Sequence, residues 1–420
     1  MLQKMSSLNV ELYNVLLGTL ATKDRSLIFE VAPRVFDHYP VASTVMSLAV
    51  PLNLKYTAPQ KRRYTNFFNE LLAEGQNLRW LQQSLPPEER NTFGLLRKYG
   101  KDSAGALTVY DPNDPTSSRK PGIERLDGQQ VRYLLEHMPQ VPLGNSPASG
   151  KISLGGMQGK IVLAEKDGAW YQTHYGYPST HILKPVVPEL PTMVYDEAFC
   201  MQLAQKVGLT THPVWIENFD GIDALVIERY DRDKSLAGGR IHQEDFNQAL
   251  GASGDQKYQE FGGKISAKRI AQTLGTFGSE SDVMAFASQL VFAIAIGNLD
   301  MHAKNVSILH FPDATIRLAP SYDQVPLRHQ HTDGRMALAI GGEYVHANLT
   351  RAHISSELLS WKSASFPNEM AINRFVEDNL MSIRDALERL SLSDKAYPRL
   401  REMIMRFLSN LLSGKPVGKQ

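Results

Sequence analysis

The chain has 420 residues, which exceeds one ordinary domain and predicts two or three units with sizeable cores. Its 45 basic and 44 acidic residues leave a net charge of +1, which argues against a protein that coats nucleic acid or anionic membrane through its overall charge, although it leaves room for a local basic patch. The single cysteine, Cys200, excludes a disulfide framework and is expected to be a small core residue in a reducing compartment.

Targeting and membrane signals are missing from the sequence pattern. No continuous apolar region follows the amino terminus, and no run of about 18 apolar residues occurs in the chain. We therefore expect a cytoplasmic protein without a signal peptide or a membrane span.

The first quarter of the chain predicts a mixture of strands and helices. Alternating apolar residues favour strands over residues 8–20, 26–32 and 105–110. The three-to-four residue spacing of helices occurs between them, over residues 67–74, 78–83 and 87–98. A β-rich opening followed by helices is the expected organisation.

Two segments rich in Pro, Gly, Ser and Asn are interpreted as linkers. They cover residues 111–122 and 139–150. We place a domain boundary at the second of them, because the pattern changes to short strands directly after it.

A glycine-rich turn follows this boundary. Two predicted strands, over residues 152–154 and 161–164, flank Gly155-Gly156-Met157-Gln158-Gly159-Lys160. Glycines in a hairpin loop let backbone N–H groups approach an anion closely, which is one way to hold phosphates. Glycine-rich hairpin turns without a ligand are also common, so the turn alone leaves both interpretations open.

A lysine closes the next predicted strand. Residues 180–184 favour a strand that ends at Lys184, and a helix is predicted over about 195–206. A lysine in this position suits a cation that reaches from a sheet onto nucleotide phosphates. Glu197, in the first turn of the helix, would hold it through an ion pair. The simpler alternative is a solvated lysine at a strand end.

The segment after residues 224–227, which favour a short buried strand, is polar and charged: Glu228-Arg229-Tyr230-Asp231-Arg232. In a two-lobed nucleotide-binding enzyme a hinge is expected here, with backbone groups on the adenine and an acidic group on the ribose. The alternative is a charged strand end that forms only local ion pairs.

Helices are expected to dominate from Gln243 onward, with strands scarce apart from one hairpin. The helical spacing covers residues 265–274, 282–296, 353–359, 369–390 and 393–412.

The polar stretch that follows the apolar run 290–296 carries the strongest pattern: Gly297-Asn298-Leu299-Asp300-Met301-His302-Ala303-Lys304-Asn305. A hairpin with strands over residues 305–311 and 315–319 is predicted to return Asp323 beside Asp300 and Asn305. This is the spacing of a kinase catalytic loop and its metal-binding aspartate. The alternative is that these side chains only cap a helix and form a tight turn.

In this order, the motifs resemble those of the HipA family of toxin–antitoxin serine/threonine kinases, from about residue 8 to beyond residue 390. The amino-terminal part is similar to the family in residues 67–75 and 100–107. The kinase part is similar in residues 153–160, 181–184, 228–232, 242–246, 257–258, 297–305 and 318–323.

The resemblance implies an α+β, bilobal protein-kinase-like fold. A β-rich amino-terminal subdomain would cover residues 1–148. A small β-rich N-lobe with the glycine-rich loop and the hinge would cover residues 149–232, and a mostly helical C-lobe with the catalytic loop would cover residues 233–420.

The same resemblance implies residue roles. Asp300 would be the catalytic base, and Asn305 and Asp323 would hold Mg²⁺. Lys184 would contact the α/β phosphates of ATP, and Ser153 would be an autophosphorylation site. The residues expected at the nucleotide are Ser153, Leu154, Gly155, Gly156, Met157, Gln158, Gly159, Lys160, Lys184, Glu228, Tyr230, Asp231, His302 and Lys304.

One departure from the family pattern lies in the glycine-rich loop. The family loop usually has Gly-Ala-Gln, then an acidic residue or Pro, then Lys, whereas this chain has Gly156-Met157-Gln158-Gly159-Lys160. The additional glycine should weaken the preorganisation of the loop, and methionine is bulkier than alanine. Activity below the family norm is expected.

The function implied by the resemblance is that of a growth-arresting kinase toxin. Its partners would be a small helix-turn-helix antitoxin similar to HipB, operator DNA bound mainly through that antitoxin, and a protein substrate such as an aminoacyl-tRNA synthetase, with glutamyl-tRNA synthetase best known in the family. One alternative is a catalytically weak co-repressor that binds antitoxin and operator. A metal-dependent hydrolase built on Asp300, His302 and Asp323 leaves Lys184 and the glycine-rich loop unexplained.

Overall fold

The computed structural model of the chain describes residues 7–24 and 26–418. The outer ends of the predicted first and third domains, residues 1–6 and 419–420, lie outside the described residues. The architecture is α+β, with a β-rich amino-terminal part, a sheet-based N-lobe and a mostly helical C-lobe. Among the described residues no helix is both long and apolar enough to cross a bilayer.

The amino-terminal sheet is antiparallel and has the strand order β3-β2-β1-β4. Its strands are β1 (Ser7–Leu12), β2 (Val15–Lys23), β3 (Ser26–Val31) and β4 (Thr108–Tyr110). The single strand predicted over residues 8–20 is wrong, because Tyr13 and Asn14 adopt φ of 53° and 63° and form a two-residue hairpin turn. The strand predicted over residues 26–32 is confirmed.

Three helices cover this sheet: α1 (Ala58–Glu70), α2 (Gly75–Gln83) and α3 (Thr92–Tyr99). The helix predicted over residues 67–74 ends earlier, at Glu70, and begins after Thr57, where a capping box with Gln60 starts it. The helix predicted over residues 87–98 is wrong in its first part, because α3 begins only after Asn91, whose side chain accepts the Gly94 N–H.

The second sheet has six antiparallel strands in the order β5-β7-β6-β8-β10-β9. They are β5 (Gly122–Leu126), β6 (Ile161–Lys166), β7 (Ala169–His174), β8 (His181–Pro185), β9 (Val214–Phe219) and β10 (Ile222–Glu228). Helices α4 (Gly128–Glu136) and α5 (Met193–Lys206) pack on this sheet in separate apolar clusters. The strands predicted over residues 180–184 and 224–227 and the helix over 195–206 are confirmed.

The segment around the predicted boundary links the first two parts of the molecule. The division at residue 148 stays a prediction, but β5, which precedes it, pairs with β7, which follows it. The hairpin predicted from residues 152–154 and 161–164 is wrong, because Ile152 bridges Asp102 of the amino-terminal part instead of β6. The glycine-rich segment therefore runs between the two parts.

The C-lobe is organised around helix α8, whose last two turns are fully buried. Its helices are α6 (Phe246–Ala249), α7 (Ala267–Phe277), α8 (Glu280–Ile296), α9 (Arg351–Ser360), α10 (Glu369–Arg389) and α11 (Leu400–Leu412). The helix predicted over residues 393–412 is wrong over its first turns, because α11 begins only after Pro398, and a proline disfavours helical geometry in the residue before it.

Two small sheets complete the C-lobe. The first contains β11 (His242–Asp245), β12 (Ser307–His310) and β13 (Ile316–Leu318), which confirms the predicted hairpin. The second, β14 (Arg335–Ile340) with β15 (Glu343–Val345), contradicts the expectation of a single hairpin in this region. Its sequence signal is the pair Gly341-Gly342, which turns with φ of 58° and 88°.

The end of α8 places the polar stretch that follows it. Every side chain from Leu290 to Ile296 is fully buried, as predicted for the apolar run. Gly297 ends the helix at φ 75°, and its N–H donates to Ala293 and Ile294. This left-handed end stops the helix and redirects the chain, so that Leu299 and Met301 stay in the core while Asp300 reaches the cavity described below.

We expect Gly297→Ala to lower the free energy of unfolding by at least about 2 kcal/mol, because the left-handed conformation disfavours a Cβ and the space is filled. A Cβ at this position would lie 2.8 Å from the Arg328 Cβ. Chemical denaturation measures the change. Gly275→Ala within α7 is the control, because its Cβ would meet only ordinary contacts, and it should raise stability by up to about 1 kcal/mol. Equal effects of the two changes would contradict the argument.

Candidate active site

A cavity of about 340 Å³ lies between the six-stranded sheet and the C-lobe. Its size falls within the range of small-molecule sites. Its apolar lining includes Leu154, Ile182, Met193, Met201, Ile227 and Leu327. Its polar lining includes most of the charged and polar residues singled out from the sequence. A ligand with both an apolar ring and a polyanion fits this mixed lining.

Lys184 lines the cavity and connects the two lobes, because it pairs with Glu197 of the N-lobe and Asp323 of the C-lobe. Its ammonium lies 2.7 Å from Glu197 Oε1 and 2.8 Å from Asp323 Oδ1. The predicted ion pair with Glu197 is therefore present. Burial lowers the pKa of Lys184, but the two carboxylates outweigh burial and raise it. Glu197 is fully buried, and burial raises its pKa even beside the lysine.

Asp323 is held in an unusual backbone conformation, with φ of 55°. Such a conformation costs a non-glycine residue energy and is found often at functional sites. Burial raises the pKa of its carboxyl, but the adjacent Lys184 outweighs burial and lowers it to about 2. The carboxylate is therefore ionised at neutral pH, and its side chain is 37% exposed toward the cavity.

Asp300 has the opposite electrostatic environment. Burial first, and then the negative charge of Asp323, raise its pKa to about 6. The Tyr258 hydroxyl donates to Asp300 Oδ1 at 3.1 Å, and the backbone N–H of Asp300 donates to Asn298. These bonds fix the carboxylate while its side chain stays 44% exposed at the cavity. The group is thus an oriented carboxylate with an elevated pKa.

His302 is buried beside this carboxylate. Its Nε2 lies 3.8 Å from Asp300 Oδ2, and its ring contacts Tyr258 edge to face. Burial, followed by the positive charge of Lys257, lowers the pKa of His302 to about 3. The ring is therefore neutral at physiological pH and shapes the cavity without adding charge.

Asn305 lines the same cavity as Asp323. Its Nδ2 donates to the Asp300 carbonyl at 2.7 Å, which leaves the amide oxygen for another ligand. No group of three or more His, Cys, Asp or Glu side chains in the described residues could enclose a metal. A carboxylate and an amide oxygen fit Mg²⁺, which usually takes its other ligands from phosphates and water.

The glycine-rich loop lies against the amino-terminal part. Ser153 is fully buried, and its hydroxyl accepts the Ala73 N–H at 3.1 Å. Lys160 is also buried and donates to the Gly155 carbonyl at 2.7 Å. Burial and the neighbouring Lys184 lower the pKa of Lys160 to about 8. The residues of this loop that line the cavity are Leu154, Gly155, Gly156, Met157, Gln158 and Lys160.

The predicted hinge lines the cavity, but its two acidic side chains, Glu228 and Asp231, differ in their exposure and in their partners. Glu228 ends β10 and is partly exposed. Asp231 is buried, accepts Arg229 at 2.7 Å and accepts the Gly105 N–H at 2.7 Å. Its carboxylate therefore anchors the hinge to the amino-terminal part. The ring of Tyr230 packs near Tyr322, at 5.5 Å between centroids.

Lys304 is engaged with protein carboxylates. Its ammonium lies 2.5 Å from Glu70, 2.6 Å from Glu74 and 3.5 Å from Asp245. The expected contact of Lys304 with a nucleotide stays a prediction. In the structure this lysine joins Glu70 of α1 to the polar stretch 297–305.

Three contributors to the site were not identified as functional from the sequence: Glu74, Asn77 and Tyr258. Glu74 and Tyr258 fall within the motifs that carry the family resemblance, and that was their only sequence signal. Asn77 follows such a motif and had none. Each contacts residues distant in the chain, so spacing does not reveal its role.

Comparison with protein families gives two matches in chain order. A model described as the HipA N-terminal domain matches residues 8–110, and a model described as the HipA-like C-terminal domain matches residues 152–389.

Individual relatives agree with these models. A putative kinase, Y4mE, of Sinorhizobium fredii is 33% identical over 311 residues, which cover 72% of each chain. The serine/threonine-protein kinase toxin HipA of Shewanella oneidensis is 26% identical over 364 residues, covering 81% of this chain and 80% of that protein. A solved complex of HipA, HipB and operator DNA from that organism matches with a TM-score of 0.76 and 21% identity, over 97% of this chain and 96% of the other. That match confirms the bilobal fold.

We expect Lys184→Met to lower the free energy of unfolding by about 3 kcal/mol, because it leaves the buried Glu197 without its cation. Adding Glu197→Gln should recover a large part of this loss, since the unpaired charge is then removed. Denaturant titrations without nucleotide measure both variants. Lys166→Met, at an exposed position at the end of β6, is the control and should change stability by less than about 0.5 kcal/mol. Purely additive effects would contradict the proposed coupling.

Proposed function

This chain belongs to the HipA family of serine/threonine kinases, and we propose that it transfers the terminal phosphoryl group of ATP to a protein hydroxyl. One observation carries the proposal most strongly. Lys184 bridges Glu197 and Asp323 in a cavity that also presents the oriented carboxylate of Asp300. Phosphoryl transfer depends on positioning and charge neutralisation, and these groups supply both.

Nucleotide binding is proposed from the mixed lining of the cavity. Its apolar residues would pack on an adenine ring, and the hinge beyond Glu228 would offer backbone groups to the edge of that ring. Lys184 would pair with the α/β phosphates. The glycine-rich loop would cover the phosphates through its backbone N–H groups.

Asp300 is proposed to accept the proton of the attacking hydroxyl. A pKa of about 6 keeps it mostly ionised at neutral pH, while making it a stronger base than an ordinary aspartate. Tyr258 holds one oxygen of the carboxylate, so the other can face the hydroxyl.

Asn305 and Asp323 are the proposed ligands of Mg²⁺. When bound, the ion would neutralise the charge of the phosphates. Asp323 is suited to this because it stays ionised, and its strained backbone holds the carboxylate toward the cavity. The same carboxylate contacts Lys184, so the cation and metal sites share one residue.

Phosphorylation of Ser153 is proposed to switch the enzyme off. The buried hydroxyl has no room for a phosphate between Ala73 and the loop. Adding roughly 1.5 to 2 negative charges there would compete with ATP for the same backbone N–H groups. The loop would have to move outward, and its glycines allow this.

The biological setting is proposed from the relatives. A toxin role with an antitoxin similar to HipB, and operator DNA bound through that antitoxin, is supported by the Shewanella oneidensis complex. An aminoacyl-tRNA synthetase is the proposed substrate and the cytoplasm the proposed location. The loop sequence Gly156-Met157-Gln158-Gly159-Lys160 supports slower turnover than is usual in the family.

Labelled ATP with Mg²⁺, followed by phosphosite mapping, tests this proposal directly. The unchanged chain should label a candidate synthetase and its own Ser153, and Asp300→Asn should label neither. A folded chain that labels no protein would instead favour the co-repressor function. Labelling that survives Asp300→Asn would exclude this residue as the base.

We expect Asp323→Ala to reduce phosphoryl transfer by at least about 100-fold while the chain stays folded, because a metal ligand is lost. Lys184 keeps its pair with Glu197 in this variant, which preserves the junction of the lobes. Transfer rates and thermal melting are the measurements. Asp313→Ala, in the exposed turn between β12 and β13, is the matched control. Full activity of Asp323→Ala would remove it from the metal site.

We expect kcat/KM for ATP to fall as the pH drops through about 6, because protonation of Asp300 removes the base. The Tyr258 hydrogen bond favours the ionised carboxylate, so Tyr258→Phe should raise the Asp300 pKa and move this acid limb to higher pH. Rate profiles from pH 5 to 8 measure the shift. Tyr133→Phe, an exposed tyrosine on α4, should leave the profile unchanged. Superimposable profiles of Tyr258→Phe and the unchanged chain would exclude this role.

A further inference from the structure

Residues 71–77, which follow α1 and include the first turn of α2, lie directly against the glycine-rich loop; we call them the connector. The Ser153 hydroxyl donates to the Leu71 carbonyl at 3.4 Å. The Ser153 hydroxyl oxygen in turn accepts the Ala73 N–H at 3.1 Å. These bonds hold only the first residue of the loop. The tip of the loop needs a separate anchor.

Asn77 provides this anchor. Its Nδ2 donates to the Gly156 carbonyl at 3.2 Å and to the Gln158 carbonyl at 2.9 Å. The side chain is fully buried and stands on the first turn of α2, so its own position is fixed by the helix. Met157, between the two accepting residues, is 63% exposed and contributes little anchoring through its side chain.

The order of the glycine-rich loop is expected to depend on the Asn77 hydrogen bonds. Residues 154–160 form no helix or strand, and Gly155, Gly156 and Gly159 give the backbone unusual freedom. Ordering such a segment costs conformational entropy that hydrogen bonds must offset. Among the described residues, the other side-chain hydrogen bond to the backbone of residues 154–160 is that of Lys160 to the Gly155 carbonyl, which closes the loop on itself.

The connector also reaches the catalytic side. Glu74 lies 2.9 Å from Lys257 and 2.6 Å from Lys304. Lys257 precedes Tyr258, which holds Asp300, and Lys304 precedes Asn305. The connector therefore contacts both the glycine-rich loop and the lysines adjacent to Tyr258 and Asn305.

We propose that Asn77 is a positioning residue of the nucleotide site, and that the amino-terminal part holds the glycine-rich loop in its binding position through this side chain. The ATP affinity assigned to Asn77 rests on the proposed kinase function, whereas its control of loop order does not. Loss of the two hydrogen bonds releases the loop tip, and the backbone N–H groups that would meet phosphates are no longer held together.

The test uses the full-length chain carrying Asp300→Asn, so that no phosphorylation occurs during measurement. Hydrogen–deuterium exchange with mass spectrometry reports the protection of residues 154–159, and calorimetry with ATP and Mg²⁺ reports affinity. Asn77→Asp keeps the shape of the side chain but removes its donor. We expect exchange of this segment to rise and ATP to bind roughly 10-fold more weakly, with a lower melting temperature because the variant buries an unpaired charge.

Two further variants make the result decisive. Gln76→Ala changes the neighbouring, exposed amide of α2 and should alter neither readout. Asn77→Ser removes the amide without adding charge and serves if Asn77→Asp does not fold. Unchanged protection of residues 154–159 in a folded Asn77 variant overturns the proposal. If the chain carrying only Asp300→Asn binds no ATP, the proposed function fails, while the exchange result still decides whether Asn77 orders the loop.

Discussion

The ammonium of Lys184 is the contact on which the site depends, because it is the point where a strand, a helix and the catalytic side of the C-lobe meet. It stands on β8, pairs with Glu197 of α5 and pairs with Asp323, which follows β13. Burying a charge is costly unless the partner is close and well aligned. The same geometry that stabilises the junction therefore keeps a cation and an ionised carboxylate together in the cavity.

The two aspartates of the cavity show how environment separates similar groups. Lys184 outweighs burial and lowers the pKa of Asp323 to about 2, whereas burial, followed by the negative charge of Asp323, raises the pKa of Asp300 to about 6. Lower pKa suits a permanent metal ligand, and higher pKa suits a base. The proposed roles therefore rest on burial and on the neighbouring charges, since both residues are aspartates.

The amino-terminal part is built into the kinase site. A buried ionic cluster joins Asp102 to Arg232 at 2.9 Å and to Arg240 at 3.3 Å, next to the Arg229–Asp231 pair of the hinge. Gly105, at φ 78°, brings its N–H to Asp231, and a Cβ there would lie 2.5 Å from the Gln243 N. Together with Lys304 and Asn77, these contacts reach the hinge, the polar stretch 297–305 and the glycine-rich loop, so the amino-terminal part contacts three segments that line the cavity.

The sequence by itself determined the elements whose signal is local. The apolar run into Gly297, the hairpin that returns Asp323 and the strand ending at Lys184 could be predicted because periodicity and turn residues act over a few positions. The bilobal fold was implied by the resemblance of these motifs, in their order, to the HipA family. Tertiary structure alone decided that Ile152 bridges Asp102 instead of β6, that Lys304 is bound by carboxylates and that Asn77 holds the loop. Each of these depends on side chains that meet across long separations in the chain, where neither composition nor spacing carries information.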